Sequence, residues 1–267
     1  MENDITYIFI DRHPQSTGNA TGDNRNDPDL GITDLGKRQA KAEAEFMYGY
    51  CKGLGIDTVP HSWAGNYQRV NEGLEIKIRT LHEIDPDFID LDQVIFRDDM
   101  LTERHFGKLA YAHHLINDVY KNDPVAQQRI RDDLNESKIV YDGVSHSSRP
   151  EFGESHKDMS AFARHWGASL ERKRQKGMNV HWVHGHGDVD KGIVSKQFHW
   201  HQLDIWDRIP NMNNCDVVLL KGREEDWSVQ KIYDGKEMRA TPENVIWRGK
   251  PERLRDLLPD NEYSPGA

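Results

Sequence analysis

The sequence predicts an α/β fold on a mostly parallel sheet covered on both faces. Three observations lead there. Apolar runs of strand length recur between Ile5 and Tyr233, stretches of helical periodicity separate most of them, and none of the apolar runs is long enough to span a bilayer. With 267 residues the chain can bury a substantial core as one large domain.

The first run, Ile5 to Ile10, is broken only by Thr6 and ends in Asp11-Arg12-His13-Pro14, which reads as a buried strand giving way to a loop. Thr17 to Asp29 is rich in Gly, Asn and Asp and too long for a plain connector, so it reads as a binding loop. Thr33 caps a helix whose apolar positions are Leu35, Ala40, Ala42, Phe46, Met47 and Tyr50, with Gly36 and Gly49 weakening it. A short strand follows at Thr58 to Trp63, then a helix through Arg69, Leu74, Ile76, Ile78 and Leu81, then a strand at Gln93 to Phe96.

Asp98 to Gly107 is a charged loop and Lys108 to Tyr120 is helical in pattern. Lys121 to Pro150 is polar, with a helix after Pro124, so a cap is expected over about 108–150. Ser155 caps an amphipathic helix carrying Met159, Phe162, Ala163, Trp166 and Leu170, a face that reads as core. Asn179 to Val183 is a strand, His184 to Asp188 a Gly-rich turn, and Val189 to about Trp206 a helix. Strands at Cys215 to Leu220 and Trp227 to Tyr233 precede an expected polar tail over about 235–267.

The formal charge of -10 argues against a non-specific nucleic-acid partner, whose backbone demands clustered cations. On so acidic a chain, a local basic pocket would serve to attract a small anion. The acidic start Met-Glu-Asn-Asp lacks a secretory h-region, and a cytoplasmic location with no membrane partner is expected. Cys51 and Cys215 stand without CxxC partners.

Arg12-His13, Arg69 and His184-Gly185-His186-Gly187-Asp188 all fall at predicted strand-to-helix junctions, which a parallel sheet brings to one edge. Glu103-Arg104-His105 adds a charged loop. Two arginines, two histidines and a glutamate around a crevice suit phosphoryl transfer, with guanidiniums on the phosphoryl oxygens, an imidazole attacking phosphorus and a carboxylic acid protonating the leaving oxygen. Taken alone, Glu103 is one of 45 acids and Arg69 a surface cation of its helix; His105, His113, His114, His199 and His201 read as solvated.

Arg12-His13-Pro14-Gln15-Ser16-Thr17-Gly18-Asn19 resembles R-H-G-[ED]-[ST]-x-x-N at Arg12, His13, Ser16 and Asn19. Ile32-Thr33-Asp34-Leu35-Gly36-Lys37-Arg38-Gln39-Ala40 resembles L-T-x-x-G-x-x-Q-A. Leu101 to Leu109 is similar to L-N-E-R-x-Y-G-x-L, Gly153-Glu154-Ser155 to G-E-S, Val183 to Val194 to an apolar strand followed by H-G, and Asn214 to Leu219 to N-x-S-[IV]-x-x-L. In this order the six blocks resemble the histidine phosphatase superfamily, in its phosphoglycerate mutase-like branch. The resemblance implies a three-layer sandwich and a small phosphorylated substrate, and it requires no metal or cofactor. It implies His13 as nucleophile, Glu103 as general acid and then base, and Arg12, Asn19, Arg69, Ser16 and a second histidine around the phosphoryl group.

That second histidine is His184 or His186; the register His186-Gly187-Asp188-Val189-Asp190-Lys191 resembles H-G-x-x-x-[RK] and favours His186. Two departures stand out. Pro14 replaces a glycine, removing an N–H, and around Arg69 the motif S-x-x-x-R-A-x-x-T-A keeps mainly the arginine. They motivate one rival, an inactive phosphate-ester-binding relative. A second rival is a dinuclear metallohydrolase, since His184 to Asp188 reproduces H-x-H-x-D, although Val189 stands where a further histidine belongs. A third is a phosphoglycerate mutase-type phosphotransferase. It would need extra cations in the cap, and Gln127-Gln128-Arg129-Ile130-Arg131 offers only a split arginine pair followed by Asp132-Asp133, so hydrolysis is expected first. The oligomeric state is left open.

Overall fold

The computed structural model describes residues 5–22, 27–59, 61–91, 95–98, 101, 103, 115–136, 166, 169–170, 172–174, 176–187, 193, 212–223 and 226–249. Its strands are β1 (Thr6–Arg12), β2 (Ser62–Ala64), β3 (Ile95–Arg97), β4 (Val180–Gly185), β5 (Val217–Arg223), β6 (Asp226–Asp234) and β7 (Arg239–Gly249). They form one seven-stranded sheet in the order β3-β2-β4-β1-β5-β6-β7. The first four in that order run parallel, whereas β5 is antiparallel to β1, β6 to β5 and β7 to β6. The sheet is therefore mixed, not mostly parallel. The expectation failed because it extended the parallel, helix-linked pattern to the last strands: β5 instead reverses beside β1, and β6 and β7 follow it through tight turns, which make successive strands antiparallel. β7 also lies within the stretch expected to be polar tail; it contains the apolar run Val245-Ile246-Trp247 and pairs along the β6 edge.

Alternation along the central strands feeds two cores. Ile8 and Ile10 of β1, Val183 of β4 and Val218 and Leu220 of β5 pack with Trp166, Leu170, Ile193 and Met212 on one face. Phe9, Trp182, Val217 and Leu219 face the other way, onto Ala44, Met47 and Cys51 of α2 (Asp34–Gly53) and Val70, Leu74, Ile78 and Leu81 of α3 (Gln68–Ile84). Ile8, Phe9 and Ile10 are each 0% exposed, and each such side chain contributes about 1.5–3 kcal/mol of burial. The two faces give the expected layering.

Thr33 caps α2 as expected, its hydroxyl accepting from Gly36 N. The expected binding loop instead begins with a one-turn helix, α1 (Thr17–Thr21). Within the stretch expected to be a cap, Leu115–Val119 makes a single π-helical turn and Pro124–Glu136 forms α4. No helix among the described residues is long and apolar enough to cross a membrane. The Ser155 cap, residues 108–114 and 137–150, and most of the helices expected at 155–170 and 189–206 lie outside the described residues.

Candidate active site

The four parallel strands end at one edge, and each feeds a predicted residue into it. Arg12 pairs in register with Gly185, so His13 and His186 emerge side by side from the ends of β1 and β4, with His13 N donating to Gly185 O at 3.1 Å. β2 leads through Tyr67 into α3 and Arg69, and the chain after β3 carries Glu103. Because β5 runs the other way, its start lies at the same edge, which delivers Asn214.

The loop that follows His13 is clamped by the block Thr33 to Ala40. Thr33 N donates to Gln15 O at 3.0 Å, Gln15 N donates to Gln39 Oε1 at 3.0 Å, and a Cβ at Gly36 would stand 2.3 Å from Gln15 O. Gly36 thus sits at a helix start because backbone approaches too closely for a side chain. Ser16 and Asn19 form a capping box: Ser16 Oγ accepts from Asn19 N and Asn19 Oδ1 accepts from Ser16 N, both at 3.2 Å. Asn19 Oδ1 also accepts from Asn214 Nδ2 at 3.0 Å, so its NH2 is the side left for an anion.

His13 is 2% exposed. Its Nδ1 lies 2.7 Å from Pro14 O and, carrying the proton, donates to it; Nε2 then holds the lone pair, which accepts from Arg69 Nε at 3.3 Å. His186 is fully buried, its ring centroid 5.0 Å from that of His13 and its Nδ1 3.2 Å from Glu103 Oε2. Arg69 Nη2 lies 4.0 Å from the same Glu103 oxygen while Nη1 donates to Asp27 O at 2.9 Å. Arg12 Nη1 donates to Met212 O at 2.6 Å, and Arg12 Nε is buried without a hydrogen-bond partner among the described residues. An unpaired buried donor of this kind is an opening for an anion's oxygen.

Electrostatics follow from this crowding. Burial, then His186, Arg12 and Arg69, push His13 well below the ordinary imidazole range, so it is neutral and nucleophilic at neutral pH. Burial likewise lowers His186, outweighing Glu103, so this ring too is neutral. Burial acts to raise Glu103, but His186 and the two arginines prevail and hold it ionised below its ordinary value. An anion entering beside it would raise its pKa.

His184 takes no part in this group. It lies one layer inward, its Nδ1 2.7 Å from Asp11 Oδ2, while Lys77 Nζ stands 3.0 Å from Asp11 Oδ1 and 2.8 Å from Glu43 Oε1. Burial would raise Asp11, yet His184 and Lys77 pull it down to about 2. Burial and then Asp11 push Glu43 well above the carboxylate range, and burial keeps His184 low. The cluster is thus a Lys77–Asp11 ion pair flanked by a protonated Glu43 and a neutral His184, with no net charge.

The H-x-H pair of the metallohydrolase reading therefore diverges. Among the described residues, the group with donor atoms close enough for a metal is His13, Glu103 and His186, all within 4.8 Å of one another. Arg69 Nε already donates into the His13 lone pair beside a second guanidinium, an environment that favours an anion over a cation. Sequence reasoning passed over Asn214, which also donates to His13 O at 3.0 Å, and Tyr67, whose ring meets His186 edge-on at 5.2 Å and lies 4.7 Å beneath the Arg69 guanidinium. The Asn214 block had signalled itself as a motif; nothing in the sequence marked Tyr67.

A model of the histidine phosphatase superfamily (branch 1) matches residues 8–235. The chain belongs to this superfamily. The match runs from β1 to just past β6 and contains every residue assembled above. No curated protein sequence matches the chain significantly. Among solved structures, a mycobacterial glucosyl-3-phosphoglycerate phosphatase in complex with VO3 is similar at 20% identity and a TM-score of 0.59, covering 85% of this chain and 98% of that one. The α-ribazole phosphatase of Shigella flexneri is similar at 14% identity and a TM-score of 0.56, covering 80% and 89%. A mycobacterial hydrolase is similar at 19% identity and a TM-score of 0.58, covering 84% and 96%. At these identities the likeness shows the phosphoglycerate mutase-like fold.

Proposed function

We propose that this histidine phosphatase superfamily member hydrolyses the phosphomonoester of a small metabolite through a phosphohistidine at His13. The observation that carries the reading is the state of that imidazole: Nδ1 tied to Pro14 O, Nε2 turned toward Arg69, with Glu103 and His186 alongside. Nε2 attacks phosphorus while the P–O bond to the leaving group breaks and that oxygen takes a proton from Glu103. Glu103, now ionised, accepts a proton from water as the water attacks the phosphohistidine; the P–N bond breaks and returns the lone pair to Nε2. Arg12 and Arg69 neutralise the equatorial oxygens in both steps.

Hydrolysis is preferred over mutase chemistry because Arg129 and Arg131 both lie exposed on α4. A mutase must shield its intermediate from water and hold a second anionic group. The test is acid-sensitive phosphate on the protein. Rapid mixing with a phosphomonoester followed by alkaline quench should trap label that is stable to base and lost in acid, and His13→Ala should abolish both label and turnover. Turnover by His13→Ala at the parent rate would end the reading.

A further inference from the structure

α3 meets the end of β1 at three successive turns, through residues spaced four apart on one face: Lys77, Gly73 and Arg69. Lys77 Nζ reaches Asp11 at 3.0 Å, and Arg69 Nε reaches His13 at 3.3 Å. Between them, a Cβ on Gly73 would stand 2.5 Å from Cδ and 2.6 Å from Cγ of Pro14. The proline ring is therefore seated on a bare turn of the helix, and Pro14 is itself buried. The carbonyl of this same residue accepts from His13 Nδ1 at 2.7 Å.

We propose that the Pro14 ring seated on Gly73 is the positioning device for His13, setting the register of α3 against β1 so that one helix governs both nitrogens of the imidazole. The pair fixes the carbonyl that holds Nδ1, and one turn away the same helix face places Arg69 against Nε2. The proline ring locks φ, so its carbonyl has little freedom beyond ψ, and contact with the helix restrains that as well. The two oddities of the sequence thereby explain each other. Pro14 stands where the resembling motif has glycine, and Gly73 stands where the motif around Arg69 has threonine. A side chain at 73 and a ring at 14 would claim the same space. The inference rests on the proposed function only in taking His13 as the nucleophile.

A methyl group at 73 must drive ring and helix apart by roughly 1 Å to reach ordinary carbon contact. That displacement would break hydrogen bonds of 2.7 and 3.3 Å, and misplacement on this scale costs on the order of 100-fold in rate. The experiment is a cycle of Gly73→Ala, Pro14→Gly and the double variant. It is read by the rate of His13 phosphorylation from p-nitrophenyl phosphate and by long-range 1H–15N NMR of the His13 ring, which reports the Nδ1–H tautomer. Gly73→Ala should lose at least about tenfold in rate and mix the tautomers, and the double variant should return to within about threefold of Pro14→Gly. Parent-like rate and tautomer in Gly73→Ala, or a double variant no better than Gly73→Ala, would overturn the proposal.

Should Gly73→Ala not fold, recovery of folding in the double variant supports the pairing and its absence refutes it. Pro14→Ala supplies an independent arm, since it removes the ring while leaving α3 intact: mixed tautomers support the proposal and a pure Nδ1–H form contradicts it. If the parent protein forms no phosphohistidine, the proposed function fails, while the NMR arm still decides the role of Pro14.

Discussion

Replacing Lys77 by methionine keeps the stem of the side chain and removes the cation. Lys77 is 1% exposed, with its ammonium 3.0 Å from Asp11 and 2.8 Å from Glu43, so the loss leaves a buried carboxylate with no counter-charge. Breaking a buried pair from one side costs roughly 3–5 kcal/mol. At about 2–4 °C per kcal/mol for a domain somewhat smaller than this one, the melting temperature should fall by roughly 6–20 °C. In the parent protein Asp11 lies at about 2, below its unfolded value, so its stabilisation is present above the unfolded pKa and lost as pH falls through about 2. Without Lys77 only His184 still pulls Asp11 down against burial, so the variant loses much of the stabilisation that the ionised carboxylate supplies above its unfolded pKa. The deficit should therefore be widest at neutral pH and narrow below about pH 4. Urea unfolding at pH 7 and pH 4 measures it. Lys77→Met combined with Asp11→Asn should recover at least about 2 kcal/mol against the sum of the single changes. A single-variant cost below about 1 kcal/mol, or strict additivity, would refute the charge assignment of the cluster.

Three further outcomes are expected. Glu103→Gln should slow alkyl phosphates far more than p-nitrophenyl phosphate, because a stable leaving oxyanion needs no proton; equal losses in steady-state rates would remove Glu103 from the acid role. The acid limb of kcat/KM, where His13 takes up a proton and loses its nucleophilic lone pair, should lie below the ordinary 6.5 of imidazole, and a limb at or above that value in a pH profile would contradict the buried, cation-flanked setting. Arg69→Lys should lose roughly 100-fold to 1,000-fold in kcat/KM, since one ammonium cannot reach His13, Asp27 O and the Glu103 side together; a loss under about fivefold would show that the guanidinium fork is dispensable.

The parallel half of the fold and the convergence of the site were legible in the sequence because both follow from short-range rules. Strand-then-helix alternation sets the sheet, and the ends of parallel strands share an edge, so Arg12, His13, Arg69 and His186 could be placed together before any coordinate. The antiparallel half was missed because apolar alternation carries no direction; only the brevity of the turns between β5, β6 and β7 does. Lys77 was invisible for a different reason. Helical periodicity favoured Ile76 for the interior, yet Ile76 is half-buried and Lys77 is enclosed, since Asp11 and Glu43 await it from elements more than thirty positions away. Pro14 looked like a defect because its complement, Gly73, lies on another element.

The position of β1 also bears on how the protein is made. β1 is flanked by β4, whose register begins at Val180, and by β5, whose paired residues run from Val217 to Gly222. During synthesis the histidine strand emerges ahead of both neighbours and must wait for them, since they follow more than 170 residues later. At elongation rates of about 5–20 residues per second, that strand spends on the order of ten seconds or more with both edges bare. Closing such long loops is slow, so protection of the nascent chain falls to its helices and to whatever holds it until the C-terminal third arrives.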